Sequence, residues 1–297
     1  RDHEHGRIWR ITHKDRPLAE KPRLHGASIP LLVENLKSPE AWTRHQARNE
    51  LSERDADEVL AVLEGWVEDL DPDAPAYDHH LVEAMWACQN VQRPSEKILK
   101  LVLNANDGHA RSAGARILRY WHNDLSDPIA MVAKASGDPF PRTRMEAVLS
   151  AGYIPQAEAY VAALNSIDHP SDSFLGQALP QTRKALENYW GPALEAGTLR
   201  FEKETHREFA EQEAGIGFEE RLAEFLNRSS PSDAEIARVC EQLKAVGTEE
   251  DIKQVVAALT SRPGIKSSEA TVALLATLKG MASSHRTRSL PRRMQGL

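Results

Sequence analysis

Twelve histidines are the first candidates for chemistry in this 297-residue sequence, and their spacing argues against a metal centre. His3 and His5 stand at i, i+2, so on a strand they share a face. His79 and His80 are adjacent, and on a helix they point about 100° apart, which makes no chelate. His45, His109, His122, His169, His206 and His285 are isolated, and neither His-x3-His nor His-Glu-x-x-His occurs. Cys88 and Cys240 form neither a Cys-x-x-Cys pair nor a Cys-x-x-Cys-His haem attachment, and both are expected to be buried apolar thiols. Gly215-Ile216-Gly217 lacks the third glycine and the preceding strand of a phosphate loop, and no Gly-x-Ser-x-Gly elbow appears. The carboxylates Asp71/Asp73 and Glu249/Glu250/Asp251 fall at turns or helix starts, where the helix dipole already favours them. No catalytic, metal-binding or cofactor-binding residue is therefore assigned to this chain. Six tryptophans recur near apparent helix ends, where aromatics plug gaps between neighbours. Trp42, Trp86 and Trp121 are also candidates for an exposed binding face.

The elements that must position these residues read as helices. The composition is 41% hydrophobic and 27% charged, the balance of a globular chain, and aromatics are only 6%, which favours helix packing over a β-sandwich. No apolar run approaches the roughly 20 residues of a membrane span. The net charge is −7. Residues 1–29 carry seven bases and four acids and residues 285–297 carry four arginines and no acid, so the body between them stands at −14. An overall field of that sign repels nucleic acid. The chain opens on Arg1 with no charged-then-apolar leader and reads as an internal piece of a longer protein.

From Ile29 to Leu36 the apolar residues Ile29, Leu32, Val33 and Leu36 mark one helical face. Ser38 is expected as an N-cap with Pro39 in the first turn. Asp55–Val67, Leu81–Val91, Ser95–Leu103, Asp107–Trp121 and Pro128–Ala135 continue the pattern with short connectors, as antiparallel helical hairpins do. Pro39–Ala47, Asp107–Ala115 and Asp138–Ala147 are self-similar: a turn residue, a short step, an arginine, then a small residue. Arg44 to Arg111 spans 67 residues and Arg111 to Arg142 spans 31, which fits a period of about 33 with a degenerate copy near Tyr77–Ala84. Arg44, Arg111 and Arg142, with Asp107 and Asp138, are expected to form a structural ladder between repeats. A second block, 218–284, shows capping boxes at Ser232–Glu235 and Thr248–Asp251, and places Ile236, Val239, Cys240 and Leu243 on a buried face.

The repeated Asp, Arg and Ala resemble HEAT repeats over residues 29–190, which implies an all-α solenoid of antiparallel hairpins. Gly6-Arg7-Ile8-Trp9-Arg10-Ile11 resembles the closing strand of a sugar-dehydrogenase-type β-propeller. A strand, a Pro-containing linker (1–28) and then HEAT-like helices are similar to the planctomycete-type putative membrane-bound dehydrogenases. That resemblance implies an exported, periplasmic protein with a haem c domain beyond this chain. Residues 191–217 are expected as a connecting segment and 285–297 as a basic linker. The expected function is a non-catalytic scaffold or docking segment contacting proteins or neighbouring domains, with no nucleic acid and no transmembrane segment. A free-standing interaction module is the alternative. An enzyme in the helical groove, a lyase or a DNA glycosylase, is a second alternative, and the glycosylase needs a basic face that this body does not supply.

Overall fold

In a computed structural model of the chain, residues 20–228 are described throughout, together with 5–6, 9, 11–12, 14–15, 17, 231–232, 235–236, 239–240, 242–243 and 247–261. All regular structure among them is helical. The strand expected near the N-terminus falls partly outside these residues, Ile8 and Arg10 included, and the described Trp9 and Ile11 are exposed and in no strand. The part of the expected second block beyond residue 261, His3 and the 285–297 linker lie outside the described residues. No described helix is long and apolar enough to cross a membrane.

The chain divides into two compact units, Arg1–Ser150 and Ala151–Leu297. The first holds α1 (Ile29–Glu34), α2 (Ala41–Leu51), α3 (Ala56–Glu68), α4 (Tyr77–Asn90), α5 (Glu96–Leu103), α6 (Gly108–Trp121), α7 (Pro128–Ser136) and nearly all of α8 (Pro141–Ala151). Local chemistry starts them. The side chains of Asp55, Ser95, Asp107 and Asp127 accept backbone N–H groups of the first turns of α3, α5, α6 and α7. Ser38 is not the N-cap of α2. That helix begins two residues past Pro39, with Glu40 at the cap position, while Ser38 Oγ accepts from Glu40 N at 3.3 Å and donates to the Glu40 carboxylate. The Ser38 and Pro39 carbonyls are taken by Arg44, which holds this turn out of the helix.

Packing follows a two-layer alternation. Helix α1 packs on α2 and α3, and α3 on α4 and α5; α2 packs on α4, and α4 on α5 and α6. Of the expected apolar face, Leu32, Val33 and Leu36 are fully buried and Ile29 is partly buried, and Leu51, Leu63, Leu81, Met85, Ile98, Leu99 and Leu118 are fully buried. Each such side chain contributes about 1.5–3 kcal/mol by leaving water. Where α6 meets α8, side chains reach the facing backbone. A Cβ on Gly108 would lie 2.5 Å from the Phe140 ring, so only glycine fits there. Thr143 Oγ1 donates to the Gly108 carbonyl at 3.1 Å, and Ser150 Oγ to that of Ala115 at 2.7 Å.

The second unit holds α9 (Ala157–Leu164), α10 (Leu175–Ala185), α11 (Glu187–Glu195), α12 (Glu204–Glu213), α13 (Phe218–Asn227) and α14 (Glu249–Ser261). The expected connecting segment 191–217 is thus largely helical. Tyr160 and Trp190 are buried with their rings 4.6 Å apart, and Trp190 Nε1 donates to the Arg183 carbonyl at 2.9 Å. Gly217, at φ +67°, turns the chain into α13 in the left-handed conformation that favours glycine. Both capping boxes form: Glu235 N donates to Ser232 Oγ and Ser232 N to the Glu235 carboxylate, and Thr248 and Asp251 exchange the same pair. Ile236, Val239, Cys240 and Leu243 join Phe218, Leu222, Phe225, Ile252, Val255 and Leu259 in one apolar cluster.

Both cysteines are buried. Burial, with the nearby Glu64 charge, pushes the Cys88 thiol up to about 12, so almost no thiolate exists at neutral pH. An Ellman titration of the native chain at pH 8 is expected to detect neither thiol, and denaturant is expected to release both. Rapid native labelling of Cys88 would contradict this burial.

Candidate functional site

The repeated arginines have one geometry. Arg44 Nη1 donates to the carbonyls six and five residues back, Ser38 O at 2.8 Å and Pro39 O at 3.0 Å. Arg111 Nη1 does the same to Ala105 O at 2.9 Å and Asn106 O at 2.8 Å. The third member is Arg144, which donates to Asp138 O at 2.8 Å and Pro139 O at 3.0 Å. The expected Arg142 is instead exposed. The ladder position therefore recurs 33 residues after Arg111, on the side of α8 that is buried rather than on the side that Arg142 occupies.

In Arg44 and Arg111 the rest of the guanidinium reaches across to the following hairpin. Arg44 Nε donates to Glu83 Oε1 at 2.8 Å, and Arg111 binds Asp138 through Nε–Oδ2 at 2.7 Å and Nη2–Oδ1 at 2.9 Å. Asp138 is thus a ladder residue. Asp107 is not paired with an arginine: it caps α6, and its own N–H donates to Asp78 Oδ2 at 2.7 Å. Further bonds tie consecutive hairpins: Ser95 to Glu64, Lys97 to Glu68, Ser126 to Glu96, Ser112 with Thr143, and Arg119 to Glu146, separated by 27 to 31 residues in sequence.

Glu83, which no sequence signal singled out, is the most buried carboxylate among the described residues of the first unit, at 1% exposure. It accepts from Arg44 and Arg48, and His79 Nε2 lies 3.7 Å away. In the second unit Asp168 accepts from Lys203 at 2.6 Å and pairs with the buried His206 at 3.0 Å. Among the described residues no group of three His, Cys, Asp or Glu is placed to hold a metal ion.

Several of these carboxyls ionise more readily than usual. Lys100 and Ser126 hold Glu96 down to about 2. At Asp138 burial opposes ionisation, but Arg111 and the Phe140 N–H outweigh it; at Asp168 the bonds from Lys203 and His206 likewise outweigh burial. Unfolded carboxyls titrate near about 3.9–4.3. A depressed folded value adds stability that is full above that range and is lost as pH falls through the folded value. The urea midpoint is therefore expected to hold from pH 7 to about 5 and to drop between about pH 4 and 2. The gap between the native chain and Asp138→Asn should narrow over that drop. A midpoint unchanged from pH 7 to 2.5 would exclude this account.

The candidate binding-face aromatics separate. Trp121 is 4% exposed and packs in the core, whereas Trp42 at 59% and Trp86 at 36% are open. Arg48, fixed by Glu83, sits 5.6 Å from the Trp86 ring centroid. Beside Trp86 a cavity of about 380 Å³ opens over α4, α6 and α8, lined by His109, Arg116, Tyr120, Arg142 and Glu146 among others. A larger hollow of about 760 Å³ lies along α5 and α7, lined by Lys100, Leu103, Met131, Lys134 and Asp138 among others. Its charged groups are engaged: Lys100 with Glu96, Lys134 with Asn104, Asp138 with Arg111. Arg116 and Tyr120 were not among the expected site residues; the only signal for them is that they stand at i, i+4 on one helical face, turned away from that of Arg111. Set beside known proteins, this chain matches no family model, no curated protein and no solved structure.

Proposed function

We propose that this chain is a non-catalytic scaffold, a stack of HEAT-like helical hairpins that holds neighbouring domains or partner proteins in place. The observation that carries the reading is the use made of the charged side chains. Arg44, Arg111, Arg119, Glu83, Asp138 and Glu146 are spent on locking one hairpin to the next, at sequence separations of 39, 27 and 27 residues. In such a stack each unit is stabilised mainly by its immediate neighbours. The order of N-terminal strand motif, linker and repeats supports placing the scaffold in an exported dehydrogenase with a haem c domain.

Hydrogen exchange of the Arg111→Ala variant tests the stack. Protection should fall in α5 to α8, across the weakened seam, and stay at native levels in α10 and α11. Uniform loss across all described helices would mean one cooperative core and would overturn the reading. The dehydrogenase context is tested separately by the reading frame on either side of the chain. A propeller before it and Cys-x-x-Cys-His after it are expected, and the absence of both would end that assignment.

A further inference from the structure

Between residues 29 and 150 the sequence holds thirteen Lys and Arg side chains, and eleven are engaged. Lys37, Arg44, Arg48, Arg54, Arg93, Lys97, Lys100, Arg111 and Arg119 each meet a carboxylate. Lys134 donates to Asn104, and Arg144 to two backbone carbonyls. The two left without an ion pair among the described residues are Arg116 and Arg142, and both line the same cavity beside Trp86. The one carboxylate in that lining, Glu146, is held by Arg119 at 2.5 Å. Two uncommitted guanidiniums are thus concentrated in one hollow of an otherwise acidic body, flanked by the half-open Trp86 and Tyr120.

We infer that this cavity on α4, α6 and α8 docks an acidic, extended segment of a partner protein. The inference rests on the scaffold reading in one respect, that the occupant is a protein. Each planar guanidinium can take one carboxylate through two parallel hydrogen bonds. The aromatic rings supply apolar area at little cost in side-chain entropy. A volume of about 380 Å³ is at the small end for ligand sites and takes one or two side chains, with the segment continuing across the surface. Nucleic acid fits less well, because tight binding to its backbone neutralises about 6–10 phosphates and only two spare cations are present among residues 29–150.

Fluorescence anisotropy with fluorescein-labelled hexaglutamate tests the inference on the full chain, with labelled hexalysine and a hexathymidylate as comparison probes. Hexaglutamate is expected to bind in preference to hexathymidylate, with affinity falling as salt rises. The double variant Arg116→Ala/Arg142→Ala should bind at least tenfold more weakly, with an unchanged thermal midpoint. Absence of hexaglutamate binding, equal binding by the double variant, or a preference for either other probe would each overturn it. None of those outcomes bears on the seam measured by exchange in Arg111→Ala, which involves no peptide, so the two readings fail separately.

Discussion

Replacing Glu83 by alanine is expected to cost about 3–5 kcal/mol, the range for removing one partner of a buried ion pair. Its carboxylate is almost fully enclosed and receives two arginines, whose side chains are themselves only 16% and 15% exposed. Once it is gone, Arg44 and Arg48 stay between α2 and α4 with no counter-charge, and solvation cannot replace it without opening the seam. Glu83→Gln keeps the shape and one acceptor oxygen and should cost less than the alanine. Urea unfolding followed by circular dichroism reads the effect. At slopes of about 1–3 kcal/mol per molar, the alanine midpoint falls by 1 M or more. A change within about 0.5 kcal/mol, the range of ordinary surface substitutions, would show that the cluster is not a structural anchor.

Two arginines that stand two residues apart should behave oppositely. Arg144→Ala is expected to destabilise by about 2–4 kcal/mol, because charge-assisted hydrogen bonds to two carbonyls are lost in a position that is 3% exposed. Arg142→Ala should stay within about 0.5 kcal/mol, as an exposed side chain with no ion pair among the described residues. Thermal and urea midpoints of both variants decide it. The reverse ranking, or equal effects, would contradict the assignment of the ladder to Arg144. The same pair separates stability from binding, since Arg142 is the residue placed in the candidate docking cavity.

Much of the architecture was legible because it is encoded locally. The caps Asp55, Ser95 and Asp107 act on N–H groups two or three residues away. The spacing of Ile236, Val239, Cys240 and Leu243 is a property of one helix, and it put all four into the cluster it implied. The failure at Ser38 came from outside the local pattern: Arg44 competes for the carbonyls that would have begun the helix.

Composition, helical period and capping chemistry by themselves determined that the described residues are helical, where helices such as α1, α3, α5, α6 and α7 start and which face of several is apolar, since these depend on residues within a turn or two. Only the tertiary structure decided which of Arg142 and Arg144 joins the ladder, that Trp121 is enclosed while Trp86 is open, and that Glu83 receives two arginines. Residues two apart on a helix point about 200° away from each other. Which of them is covered depends on where the next hairpin packs, and no pattern within one helix carries that information.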